Sequence, residues 1–147
     1  MRIAVLNGPN LNLLGVREPE RYGRTSLADV ERGLTQVAGE LGVELECSQH
    51  NGEGQLIDAV HAMRGRIYGV VVNAGAYSHS SLALRDALVG VSVPFVEVHV
   101  TNVYAREPER RHSMLAPAAM GGVVGLGTHG YELALRGLVA ALRGSGA

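Results

Sequence analysis

Residues 69–79 read Gly-Val-Val-Val-Asn-Ala-Gly-Ala-Tyr-Ser-His. An unbroken run of β-branched side chains suits a strand buried on both faces, and the Asn and Gly that follow end it abruptly. With Ile67 in front, the apolar pattern predicts a strand over 67–72. The same grammar recurs on either side. Ile3-Ala4-Val5-Leu6 runs into Asn7-Gly8-Pro9-Asn10, and Val93-Pro94-Phe95-Val96 runs into Glu97-Val98-His99-Val100-Thr101-Asn102.

Between these runs the period changes from two to three and four. Leu27, Val30, Leu34, Val37 and Leu41 mark one face of a helix, with Thr25 and Ser26 as N-cap candidates and Gly42 as its stop. Val43 to Cys47 alternates like a strand with one more exposed face, as at a sheet edge. Leu56, Val60 and Met63 mark a second helix, residues 81–89 a third, and Gly122-Val123-Val124-Gly125 a fifth strand. Tyr131, Leu135, Leu138 and Leu142 define the closing helix, and Gly144-Ser145-Gly146-Ala147 is expected to be a flexible tail after a domain spanning 1–143.

Strands alternating with helices predict an α/β domain, a doubly wound parallel sheet with helices on both faces. Five strands suggest the flavodoxin-like order 2-1-3-4-5 in a single domain. In such sheets ligands bind beyond the carboxyl ends of the strands, where the order reverses. That order sets strands one, three and four side by side, and these are the three with polar endings. They describe one pocket built from distant parts of the chain. Residues 8–24 lack any period and exceed the ~12–15 residues usual for an unstructured loop. This loop carries Arg17, Arg21, Tyr22 and Arg24. It reads as a lid, about 15–25, with a tolerated surface insertion as the alternative.

At 147 residues the chain buries roughly 70% of its unfolded surface as one domain. Its 46% hydrophobic and 18% charged content is that of a globular protein. No apolar run approaches the ~18 residues of a membrane span. Met1-Arg2-Ile3 enters a strand directly, so no signal peptide is expected. The single Cys47 excludes an internal disulfide and a cysteine metal cluster, and a cytoplasmic location is the expectation. A net charge of −1 with dispersed arginines offers no nucleic-acid footprint. All 13 basic residues are Arg. This excludes a lysine Schiff base and a Walker-type phosphate loop.

Glu97 and His99 stand at i and i+2, so on a strand both side chains point the same way. A carboxylate beside an imidazole orients it and suits it to general-acid work; the alternative is a structural buried pair. His79 leads from the third strand into a helix, as a site or a capping residue. No metal is expected, because no dense His-x-x-x-His spacing occurs. Tyr22 sits among arginines that stabilise a phenolate, which a tyrosine base requires; the alternative is a ring that packs the loop down. Gly125-Leu126-Gly127-Thr128-His129-Gly130 matches GxGxxG, but no strand and acidic residue follow, so it is read as a decoy. Cys47 reads as a small core residue.

Taken together, Asn7 to Gly15, Arg17-Glu18-Pro19, Tyr22-Gly23, Asn51-Gly52-Glu53-Gly54, Asn73 to His79, Ala83 to Ala87, Glu97 to Asn102 and Arg110-Arg111-His112-Ser113 resemble type II 3-dehydroquinate dehydratase in order and spacing. The resemblance covers nearly the whole chain. It implies anti elimination of water from 3-dehydroquinate to 3-dehydroshikimate through an enolate, in the shikimate pathway, with no cofactor. By position it implies Tyr22 as base, Arg17 stabilising its phenolate, Asn10 holding a water on the enolate oxygen, and His99 as acid. Asn73, His79 and Arg110 would bind substrate, with the Val100 and Thr101 amides taking the carboxylate. Asp86 would reach a neighbouring subunit of a trimer, with trimers assembling to a homododecamer. Thr101, Ser78, Ser80 and Ala74 are small departures from the family pattern, and Pro108, beside Arg106 and Arg110, is expected to alter the helix start there. A flavodoxin-like FMN-binding module and a catalytically inactive scaffold are the rival readings.

Overall fold

Helix α2 (Leu27–Leu41) follows from its own ends. The Ser26 side chain accepts from the Asp29 amide while Asp29 accepts from the Ser26 amide, a reciprocal capping box. At the other end Gly42 turns the chain with φ 69°, a left-handed conformation that favours glycine. These contacts belong to the computed structural model, which describes residues 1–144.

Five parallel strands, β1 (Arg2–Asn7), β2 (Glu44–Gln49), β3 (Gly69–Asn73), β4 (Phe95–His99) and β5 (Gly121–Val124), form one sheet in the order β2-β1-β3-β4-β5. The doubly wound order read from the strand pattern is the observed one. Helices α3 (Glu53–His61), α5 (Leu82–Gly90) and α6 (His129–Gly144) complete the layers. Alternate strand residues face opposite sides. Ile3, Val5, Val71 and Val98 join α2 and α6 in one apolar cluster; Leu6, Val70, Val72 and Phe95 join α3 and α5 in the other. Cys47 packs against the first cluster, and burial pushes its thiol up to about 12, with Glu31 adding to the effect. No helix among the described residues is long and apolar enough to cross a membrane.

The register brings the polar strand ends level: Asn7 pairs with Asn73, and Val72 with Glu97. Gly8 makes this closeness possible. A Cβ there would lie 2.3 Å from the Ala74 carbonyl oxygen, so only glycine fits where the two loops cross.

Some boundaries differ from the sequence reading. β3 starts at Gly69, not Ile67, because the Ile67 amide still closes a turn on the Met63 carbonyl. β4 starts at Phe95 because Pro94 has no N–H, although its carbonyl accepts from Val70. The loop 8–24 is not wholly irregular: it holds a 3-10 turn at Leu11–Leu13 and a one-turn helix α1 (Pro19–Tyr22). A second single turn, α4 (Tyr77–Ser80), precedes α5. Gly144, expected in the tail, is the last residue of α6; the rest of that expected tail, 145–147, lies outside the described residues.

Candidate active site

His99 ends β4 and is 6% exposed; its neighbour on the same strand face, Glu97, is 4% exposed. The spacing of two that places both on one face brings His99 Nε2 to 3.0 Å from Glu97 Oε1. The Ser113 hydroxyl reaches the same carboxylate, 2.8 Å from Oε2, and itself accepts from the Leu115 and Ala116 amides. Burial pushes the Glu97 carboxyl up, but the bonds from His99 and Ser113 and the nearby imidazoles outweigh it and hold it below its ordinary value. The carboxylate therefore stays charged and fixes the His99 ring.

His79 lies on α4 with its ring stacked on His99, centroids 5.8 Å apart. Its Nδ1–H donates to the His112 carbonyl at 2.8 Å. Burial lowers its pKa, and the charges of His99 and Arg110 work the same way against the raising effect of the His112 bond. A neutral ring with Nδ1–H committed leaves Nε2 as a free acceptor.

Tyr22 closes the one-turn helix α1 and reaches over the strand ends. Its hydroxyl accepts from Arg106 Nη1 at 2.8 Å. The guanidinium carbons of Arg17 and Arg106 lie 5.4 Å and 5.6 Å from the ring centroid. Arg106 Nη1 also lies 3.4 Å from the Thr101 hydroxyl, and its Nε is buried with no partner among the described residues. Arg17 pairs with Glu18 at 3.5 Å. The guanidinium bonded to Tyr22 is thus Arg106, which the sequence did not single out, while Arg17 contacts the ring.

Asn10 follows β1 in a left-handed conformation, φ 70°. Asn73 ends β3 and is 4% exposed; its amide donates to the Tyr131 hydroxyl at 2.9 Å and its oxygen accepts from the Gly75 amide at 3.2 Å. The protein itself therefore fixes the orientation of this side chain. The Val100 and Thr101 amides donate to no backbone carbonyl among the described residues. Arg110 lies on a 3-10 turn, its Nε bonded to Glu107.

These residues line one cleft, open to solvent, at the carboxyl ends of the strands. Its walls include Asn10, Arg17, Tyr22, Asn73, His79, His99, Val100, Thr101, Arg106 and Arg110. Two candidates are not in its lining. Glu97 stands behind His99 as its partner, and Asp86 lies exposed on α5. Irregular stretches carry the residues the sequence reading missed, Arg106 on the Tyr22 hydroxyl and Ser113 on Glu97. The single signal for Arg106 was its position in the basic stretch Arg106 to Arg111.

A family model described as dehydroquinase class II matches residues 1–139. A 3-dehydroquinate dehydratase from Gemmatimonas aurantiaca is 63% identical over 97% of this chain and 93% of its own length. One from Variovorax paradoxus is 56% identical over 94% of this chain and 98% of its own length. Among solved structures, a type II dehydroquinase from Propionibacterium acnes superimposes with TM-score 0.90 at 42% identity, covering 95% of this chain and 96% of that one.

Proposed function

This chain belongs to the dehydroquinase class II family, and from that premise we propose which of its residues carry out each step. The reaction is the shikimate-pathway dehydration of 3-dehydroquinate to 3-dehydroshikimate, a hydro-lyase reaction that needs no cofactor. Tyr22, as phenolate, takes the proton from the carbon beside the ketone. The electrons of that C–H bond move into the carbonyl to give an enolate, whose oxygen is stabilised by a water held at Asn10. His99 then protonates the departing hydroxyl, the carbon–oxygen bond breaks, and water leaves as the conjugated enone forms.

The observation that carries this reading is the 2.8 Å bond from Arg106 to the Tyr22 hydroxyl, in the cleft that also exposes His99. A guanidinium that donates to the phenol oxygen holds that oxygen in place at the cleft and suits negative charge there. Arg17, against the ring, adds a second positive charge. At the other reacting carbon, the Glu97 carboxylate fixes the orientation of the His99 ring that gives up its proton. Arg110, neutral His79 and Asn73 supply donors and acceptors for substrate hydroxyls, and the free Val100 and Thr101 amides suit a carboxylate.

Residues 1–143 form the catalytic domain, with the segment about 15–25 as the lid that brings Arg17 and Tyr22 over the substrate. Asp86, exposed on α5 and outside its own cleft, completes a neighbouring site in a trimer, and four trimers form a dodecamer. The enzyme works in the cytoplasm. The test is to mix purified protein with 3-dehydroquinate and follow the ultraviolet absorbance of the enone, with Tyr22→Phe alongside. Absorbance should rise with the native chain and barely with the variant. Equal rates would remove Tyr22 as the base.

A further inference from the structure

Asn10 holds a left-handed conformation, φ 70°, which asparagine tolerates better than most non-glycine residues but leaves unless contacts hold it there. Such strain persists where surrounding contacts over-determine it. On one side the loop rests on the β3 ending: the Gly8 amide donates to the Asn73 carbonyl at 2.7 Å. On the other side stand two residues that the reaction does not use. The Asn10 amide donates to Asn51 Oδ1 at 3.1 Å. That same oxygen accepts from Gln49 Nε2 at 3.0 Å, and Gln49 Nε2 also donates to the Gly8 carbonyl at 3.0 Å. Asn51 is anchored in turn, its backbone carbonyl accepting from the Tyr77 hydroxyl at 3.2 Å.

We propose that Gln49 and Asn51 are positioning residues that hold Asn10 in its strained conformation over the cleft. This rests on the reading of Asn10 as the residue that holds the enolate water. Gln49 ends edge strand β2 beside Asn7, and the His50 amide is tied to the Asn7 carbonyl at 3.0 Å, so the brace is anchored to the sheet. The Gln49 amide supplies two hydrogens, which span the loop at Gly8 and fix the Asn51 amide. With that amide fixed, Asn51 turns its oxygen, the correct end, toward the Asn10 N–H. Removal of either member lets Asn10 relax, and the loss falls on the enolate-forming step rather than on substrate binding.

The test compares Asn51→Ala, Asn51→Asp and Gln49→Met, each alone and combined with Asn10→Ala, by kcat, KM and thermal unfolding. Asn51→Ala and Gln49→Met should lower kcat roughly 10- to 100-fold with little change in KM. Asn51→Asp keeps an oxygen for the Asn10 amide and should retain most of kcat. In the Asn10→Ala background neither Asn51→Ala nor Gln49→Met should cost anything further. Native kcat in Asn51→Ala, alongside a clear loss in Asn10→Ala, would overturn the brace alone. A loss that persists unchanged in the Asn10→Ala background, or that appears only in thermal unfolding, would also overturn it. Native kcat in Asn10→Ala would instead remove the role of Asn10, and the brace with it.

Discussion

The two sides of the cleft are built on opposite principles. The His99 side is part of the sheet: a strand residue 6% exposed, bonded to a carboxylate 4% exposed that a serine and the backbone hold in turn. The Tyr22 side is a single helical turn in a long loop, entered through Glu18 at φ 44° and exited through Gly23 at φ 82°. Its hydroxyl meets the protein body through Arg106, itself on an irregular stretch. His99 is held by bonds within the sheet and its flanking turn, whereas the Tyr22 hydroxyl is held by one bond between two irregular segments. A rigid strand end fixes orientation, and a loop governs access.

The largest expected effect lies at the two reacting groups. Tyr22→Phe should lower kcat by roughly 10²–10⁴ while leaving thermal unfolding near native, because it removes one hydroxyl and keeps the partly buried ring packed against the core. His99→Asn should lower kcat comparably and also destabilise the fold, because it strips a buried carboxylate of its partner. Unfolding curves for both variants, set beside their kcat values, check the contrast; equal stability losses would break it.

Next in size is Arg106. Arg106→Met should cost roughly 10- to 100-fold in kcat, since the guanidinium that donates to the phenol oxygen is gone. Arg106→Lys should recover part of the loss. Steady-state kcat of the two variants reads this, and a native kcat in Arg106→Met would leave Arg106 a packing residue.

Ser113→Ala should cost about 1–3 kcal/mol in denaturant unfolding, because it strips a buried carboxylate of a donor and two amides of an acceptor. The smallest effect expected is in pH. The Glu97 carboxyl is held below its reference value of 4.5, so the stability it contributes is fully present above that value. It is lost as pH falls through the lower, folded-state value. Glu97→Gln should flatten the acid-side fall of stability, measured as the unfolding midpoint against pH. An identical slope in both chains would show that the pair is not coupled to folding.

What was legible in the sequence follows the same division. Glu97 and His99 were readable because a strand turns spacing into direction, so i and i+2 must share a face. Asn73 and His79 were readable because parallel sheets collect ligands at strand ends. Arg106, Gln49 and Ser113 were not, because their roles come from contacts across the fold. Arg106 meets Tyr22 across 84 residues, and Gln49 meets Gly8 across 41. Helices α1 and α4 are four residues each, one turn, too short to show a helical period. The arginines beside Tyr22 in the loop were recognised as a group, but the one that bonds its oxygen is Arg106, brought there by the way a distant irregular segment folds back.

Cys47 gives this contrast an instrument. Its thiol, packed against the core and pushed up to about 12, holds almost no thiolate near neutral pH and so resists alkylating dyes. The chain has no other cysteine. Val16, 79% exposed in the loop that leads to Tyr22, is a place where a new thiol would meet solvent. A Val16→Cys chain would therefore take a fluorophore at one position without any background cysteine being removed, and its emission would read in real time whether the loop that carries Tyr22 moves against the sheet that carries His99.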